Sequence, residues 1–182
     1  MQLFMRAVDH LNRVLRHLVG AMLGVMVVVV ATQIVVRFVL PPLGINASAP
    51  WSEELARYLM IWCIFIGAAV AARAGDLIAV ETLPDALPAR WSLVVRNAAL
   101  ITTVAFLVAL IWLGLRWVEF GAGETSTVMN LPMSWVYAAL PIGSGFAIVN
   151  LVARFLDLNF DAARRRALMR HEPSVTEGDA LV

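Results

Sequence analysis

The sequence predicts an all-α integral membrane protein with four transmembrane helices, and three observations support this. The 182 residues are 61% hydrophobic and only 15% charged, whereas a soluble domain has about 25% charged residues. The apolar residues are gathered in four long uncharged runs. Residues 27–30 are four consecutive valines, which does not fit the alternating pattern of a membrane β-barrel. Backbone groups in lipid must be bonded within the segment, so each run is predicted to be helical.

The lengths of the four runs set the predicted spans. A helix needs about 20 mostly apolar residues to cross a bilayer. The second run, 58–72, has only fifteen residues, so its span must include the charged turns that precede it. The fourth run, 125–153, is longer than one span needs, so its first part is predicted to be a loop. We predict a membrane domain over residues 1–160, with spans at about 16–40, 51–73, 90–116 and 131–153.

The first run could also be the apolar part of a cleaved signal peptide. Basic residues precede it, and residues 47–49 read Ala-Ser-Ala, which resembles a cleavage site. The apolar part of a signal peptide has about 7–15 residues, whereas this run, 18–36, has nineteen. We therefore expect it to remain as a span.

The basic residues, all of them Arg, predict the orientation. Eleven of the fourteen lie in the N-terminal segment, in the loop between the second and third spans, or in the C-terminal segment. Only Arg37, Arg57 and Arg116 lie on the other side. Because Arg and Lys accumulate on the cytoplasmic side, both termini are predicted to be cytoplasmic.

Two segments outside the spans have their own predictions. Residues 76–83, between the second and third spans, combine apolar side chains with Asp76 as a helix cap, and so predict a short amphipathic interfacial helix. Residues 161–182 form a polar cytoplasmic tail, which we expect to be disordered.

The sequence contains none of the motifs that mark an enzyme. It has one cysteine, Cys63, no H-E-x-x-H motif and no glycine-rich phosphate loop, and its three histidines flank the spans. We predict no catalytic, cofactor-binding or metal-binding residue and no nucleic-acid partner. The centres of the first, third and fourth spans have no ionisable residue, unlike pumps and proton relays. This pattern favours a supporting subunit over the part that moves a substrate.

Small residues recur at four-residue spacing within the spans, and such faces let helices approach closely. They are Gly20 and Gly24 in the first span, Gly67 and Ala71 in the second, and Ala139, Gly143 and Ala147 in the fourth. Two alternatives remain open, packing among the four helices and contact with another subunit.

Two segments carry specific residue patterns. Residues 51–83 read WSEELARYLMIWCIFIGAAVAARAGDLIAVETL, and residues 131–143 read LPMSWVYAALPIG. Together they resemble the two signatures of the small membrane subunit (DctQ-type) of tripartite ATP-independent periplasmic (TRAP) transporters. The matching residues of the first segment are Trp51, Glu53, Glu54, Arg57, Tyr58, Trp62, Gly67, Arg73, Gly75, Ile78, Val80 and Glu81. Those of the second are Pro132, Trp135, Tyr137, Pro141 and Gly143. One departure is Leu77, where the family usually has His.

The resemblance implies a role in a three-component uptake system of the bacterial inner membrane. A periplasmic binding protein would capture an organic acid, and a large permease subunit would carry it with sodium ions. The small subunit would lie in the bilayer, brace the large one and help to dock the binding protein. A small accessory subunit of another system, such as the tripartite tricarboxylate transporters, is the alternative.

The charged residues at the start of the second span allow two interpretations. In the first, the charges interact within the helix. Glu53 and Glu54 lie four and three residues before Arg57, so all three can meet on one helix face. The other interpretation is a polar contact with the large subunit. The candidate interface or structural residues are Glu53, Glu54, Arg57, Tyr58, Trp62, Gly67, Arg73, Pro132, Trp135, Tyr137, Pro141 and Gly143.

Overall fold

A computed structural model describes residues 2–45, 47–74 and 89–160 of the chain. Its helices are α1 (Gln2–Ile34), α2 (Pro50–Ala74), α3 (Ala89–Gly121), α4 (Ser134–Tyr137) and α5 (Ala139–Phe160). A π-helical turn (Val35–Val39) and a 3-10 turn (Pro41–Leu43) follow α1. Four helical stretches, containing α1, α2, α3 and α4 with α5, are long and apolar enough to cross a membrane. The described part contains no strand, so the predicted four-helix, all-α class is confirmed.

Helix α1 begins about fourteen residues before the predicted span. Its first turns bury Met5, Val8, Asn12 and Leu15, which recur every three or four residues and so form one helix face. Met5 and Val8 pack with Ala153 of α5 in a small apolar core. The N-terminal segment is therefore part of the helix bundle, while the membrane limits of each span remain predictions.

The four long helices form a row in the order α1, α2, α5, α3. Helix α2 packs against both α1 and α5, and α3 packs against α5 and the short α4. Helices α2 and α3 do not pack against each other within the described residues. In the most apolar segment of the stretch formed by α4 and α5, half of the residues are buried. In the most apolar segments of α1 and α3, only 6% of the residues are buried. The two outer helices therefore leave most of their apolar surface uncovered by this chain.

Glycines permit the closest contacts of α5. A Cβ atom built on Gly143 would lie 2.6 Å from the Phe65 Cβ of α2. A Cβ on Gly114 of α3 would lie 2.8 Å from the Pro141 Cδ. At Gly143 the small residue thus serves packing within the chain. Gly20 and Gly24 of α1 have no atom within 4 Å of the Cβ position, so packing within the described residues does not explain them.

Two predicted segments lie outside the described residues, the interfacial helix at 76–83 and the tail at 161–182. The bundle has two distinct ends. One carries the start of α1 and the ends of α2 and α5, and we call it the Arg73 end. The other carries the start of α2, the end of α3 and the loop 122–133, and we call it the Glu54 end. Which end faces the cytoplasm remains a prediction from the Arg distribution.

Candidate functional site

Glu54 lies in the second turn of α2 and joins that helix to the loop 122–133. Its side chain is buried, and its Oε1 accepts a hydrogen bond from the Tyr58 hydroxyl at 2.7 Å. Its Oε2 accepts a hydrogen bond from the backbone N–H of Met129 at 2.8 Å. The Tyr58 hydroxyl also lies 3.6 Å from the Met133 sulfur. We call Glu54, Tyr58, Met129 and Met133 the Glu54 cluster.

The loop can present the Met129 N–H because it closes on itself. The Ser126 N–H donates to the Leu131 carbonyl at 2.8 Å, and the Leu131 N–H donates to the Ser126 hydroxyl at 3.2 Å. Asn130 has a φ of 52°, a left-handed conformation in which Asn is several-fold enriched. The sequence thus builds a compact turn with one N–H directed at a carboxylate. A carboxylate that already accepts two hydrogen bonds here serves as a structural tie.

Glu53 and Arg57, the neighbours of this cluster, are both exposed. In the described part of the chain, Arg57 forms no salt bridge with Glu53 or Glu54. The described structure therefore shows no ion pair among these three charges, although Glu54 and Arg57 line the same groove. Glu54 is directed towards the loop, and its carboxylate accepts hydrogen bonds from the Tyr58 hydroxyl and the Met129 N–H.

At the opposite end, Arg73 of α2 joins three helices. Its Nη2 lies 2.9 Å from Asp9 Oδ1 of α1, and its Nη1 lies 2.7 Å from Asp157 Oδ2 of α5. The Arg73 Nε also donates to Asp9 Oδ1 at 3.2 Å. The planar guanidinium can serve two carboxylates because its donors point in several fixed directions. We call Asp9, Arg73 and Asp157 the Arg73 cluster.

A buried amide pair lies close to this end. Asn12 of α1 and Asn150 of α5 exchange two hydrogen bonds, of 2.6 Å and 2.9 Å. The Asn150 Nδ2 also donates to the Ala69 carbonyl of α2 at 2.6 Å. Amide groups in apolar surroundings must be paired, and here the pairing fixes α1, α2 and α5 relative to one another.

Sequence reasoning missed four of these polar residues, Asp9, Asn12, Asn150 and Asp157. A signal was present for three of them. Asn150 and Asp157 interrupt the apolar surface of α5, and Asn12 occupies the buried face of α1. The spacing within one helix does not indicate which helix supplies the partner.

The remaining predicted residues are spread over the bundle. The Tyr137 ring packs edge-on against Trp117, with centroids 5.8 Å apart, at the Glu54 end. Pro132 pairs with Thr125 across the loop, and Trp135 is 70% exposed. Trp62 is half-buried in the middle of α2. The predicted residues therefore occupy both ends and the middle of the bundle and do not form one site.

Across residues 2–45, 47–74 and 89–160, no three or more His, Cys, Asp or Glu side chains lie close enough together to hold a metal ion. The two polar clusters join helices to one another or to a loop. Fold and clusters together define a multi-pass membrane protein whose polar side chains serve to hold helices in place.

Residues 26–159 match the sequence model of the tripartite ATP-independent periplasmic transporters, DctQ component. The chain belongs to this family, which confirms the resemblance seen in the sequence. It is thus a multi-pass protein of the bacterial inner membrane.

Individual relatives agree with this assignment. The chain is 31% identical to the C4-dicarboxylate TRAP transporter small permease protein DctQ of Rhodobacter capsulatus over 74% of its own length and 58% of the relative. It is 27% identical to a putative TRAP transporter small permease protein of Haemophilus influenzae, over 86% of its own length and 94% of the relative.

A third relative has a much longer chain. The isethionate TRAP transporter permease protein DctMQ of Oleidesulfovibrio alaskensis is 30% identical over 58% of this chain, but this match spans only 17% of the relative. The present chain therefore corresponds to a small part of that protein.

Proposed function

We propose that this chain is the small membrane subunit of a sodium-driven TRAP transporter for an organic acid. In this role it braces a large permease subunit and helps to dock a periplasmic binding protein. The observation that carries the proposal is the row of helices. In the most apolar segments of its two outer helices, α1 and α3, only 6% of the residues are buried. Such a row offers wide apolar faces to lipid and to a larger membrane protein.

The distribution of charge supports a bracing role without enzymatic or independent transport activity. Between His17 and Arg37 of the first span, and between Arg96 and Arg116 of α3, the sequence has no charged or histidine residue. The carboxylates of Glu54 and Asp157 lie near helix ends and are bonded to other parts of the chain. Ion pathways through a membrane are usually marked by ionisable residues within the spans.

The names of two relatives support the proposed substrate class. Two of them are named for C4-dicarboxylate and isethionate, and both compounds are organic acids. Specificity for one acid would lie in the binding protein and the large permease. The relative named DctMQ supports the pairing with a large permease, because its chain is far longer than the segment that matches here.

We assign the docking role to the Glu54 end, because the Arg distribution predicts that this end faces the periplasm. Exposed polar and aromatic residues gather there, namely Glu53, Glu124 and Trp135. The hydrogen-bonded turn at 126–131 holds this surface in one conformation.

Co-purification tests the pairing. The tagged chain, co-expressed with the large permease of its own host, should retain that permease through mild detergent extraction. Gly20→Leu with Gly24→Leu should weaken the pairing if the small face of α1 is the contact, because no other helix of the described part of the chain comes within 4 Å of the Cβ positions there. Gly145→Ala on α5, a position with equally open space, is the control. Failure of the intact wild-type chain to retain any permease would contradict the proposal.

A further inference from the structure

A groove runs between α2 and α3 at the Glu54 end. It exists because both helices pack against α5 without packing against each other. Its volume is about 530 Å³. Ile61 and Phe65 line it on α2, Trp117 lines it on α3, and Val136 and Leu140 form its floor. We call this cavity the α2–α3 groove.

The depth of the groove matches one leaflet of a bilayer. Its lining on α2 extends from Glu54 to Phe65, which at 1.5 Å per residue is about 16 Å along the helix. The hydrocarbon core of a bilayer is about 30 Å thick, so one leaflet contributes about 15 Å. The groove therefore runs from the polar end of the bundle towards the bilayer midplane.

Below its charged residues the groove has a mainly apolar lining, which includes Ile61, Phe65 and Leu140. Extended hydrocarbon chains suit such a lining, because they need no polar partner along their length.

The rim of the groove carries one positive and one negative side chain. Arg57 and Glu124 both line it and are both exposed. Among the residues that the structure describes, neither side chain forms a hydrogen bond or a salt bridge. Arg57 lies two turns inside α2, and its long side chain can extend towards the headgroup level. Thr125 and Thr127 also line the groove and are exposed.

We propose that the α2–α3 groove binds one zwitterionic glycerophospholipid. Arg57 contacts the phosphate, because a guanidinium is the preferred protein donor to phosphate oxygens. Glu124 contacts the ammonium group of the headgroup, and the acyl chains lie along Ile61, Phe65 and Leu140. The lipid would fill the gap between α2 and α3. This inference does not depend on the transport role.

Native mass spectrometry of the chain in complex with its permease tests the proposal. Phosphatidylethanolamine added to the detergent-purified complex should remain bound to the wild type. Arg57→Gln should lower the retained fraction by about tenfold, since it removes a charge-assisted contact. Glu124→Gln should shift the preference towards phosphatidylglycerol, which has no ammonium group. Arg37→Gln, which changes an exposed arginine outside the groove, is the matched control and should change nothing.

A photoreactive amino acid at Ile61 gives a second readout that does not require charge variants. In native membranes it should crosslink to lipid. Crosslinking of Ile61 to the permease polypeptide would overturn the proposal and assign the groove to a subunit contact. Equal phosphatidylethanolamine retention in the wild type, Arg57→Gln and Glu124→Gln would overturn it as well.

Discussion

Arg73 and Asp157 form an ion pair of 2.7 Å between the last turn of α2 and the C-terminal part of α5. The Asp157 side chain is 5% exposed, while Asp9, the other carboxylate on Arg73, is 46% exposed. The two acids thus hold the same guanidinium in different surroundings. This difference predicts different consequences for their removal.

Asp157→Ala should destabilise the bundle more than Asp9→Ala. Asp157→Ala removes the buried carboxylate and leaves the Arg73 guanidinium with the more exposed Asp9 as its acceptor, so we expect a cost of about 1.5–3 kcal/mol, whereas an exposed pair contributes about 0–1 kcal/mol. Thermal unfolding of the two purified variants in the same detergent measures the difference. Equal midpoints for both variants would contradict this account of the Arg73 cluster.

Glu54→Ala should loosen the loop 122–133. The Met129 N–H and the Tyr58 hydroxyl lose their acceptor, so the loop loses its tie to α2. Hydrogen–deuterium exchange in the peptide that contains Met129 should become about tenfold faster. Glu53→Ala is the matched control, because Glu53 is an exposed neighbour of the same charge. Unchanged exchange in Glu54→Ala would show that the loop keeps its conformation without the Glu54 carboxylate.

Gly143→Ala should separate α2 from α5. The added methyl group would lie 2.6 Å from the Phe65 Cβ and 2.9 Å from its carbonyl carbon, and backbone atoms cannot move aside without shifting a helix. Overpacking of this kind costs about 1–3 kcal/mol. Gly145→Ala, with nothing within 4 Å, should be close to neutral. The denaturation midpoints of the two variants give the comparison, and a neutral Gly143→Ala would be inconsistent with this contact.

Cysteine labelling tests the orientation. In intact cells, cysteines introduced at Ala47 and Ala122 should react with membrane-impermeant reagents, and one at Ala167 should not. The reason is the division of Arg residues into eleven and three. Strong labelling at Ala167 in sealed cells would reverse the orientation and move the docking surface to the cytoplasm.

The sequence predicted the four helices because the lengths of the apolar runs alone require them. It did not predict that α1 begins near residue 2, because the first turns of α1 depend on the packing of Met5 and Val8 against Ala153 of α5. The pairing of Asn12 with Asn150 was equally inaccessible, since separate helices do not reveal their neighbours.

The hydrogen-bond partners of Glu54 at the start of α2 could not be predicted for a related reason. Spacing allows Glu54 and Arg57 to meet, but it does not show where a loop will place a competing N–H. The compact turn at 126–131 supplies that donor at Met129. Local spacing thus gives the possible partners of a carboxylate, while tertiary structure selects among them.

In the proposed role, this chain supports transport without carrying it out. The direct test is uptake of a radiolabelled organic acid into proteoliposomes under a sodium gradient, with the binding protein present. We expect uptake when the chain and the large permease are reconstituted together, and none when the chain is reconstituted alone. Sodium-dependent uptake by the purified chain without a large permease would contradict it.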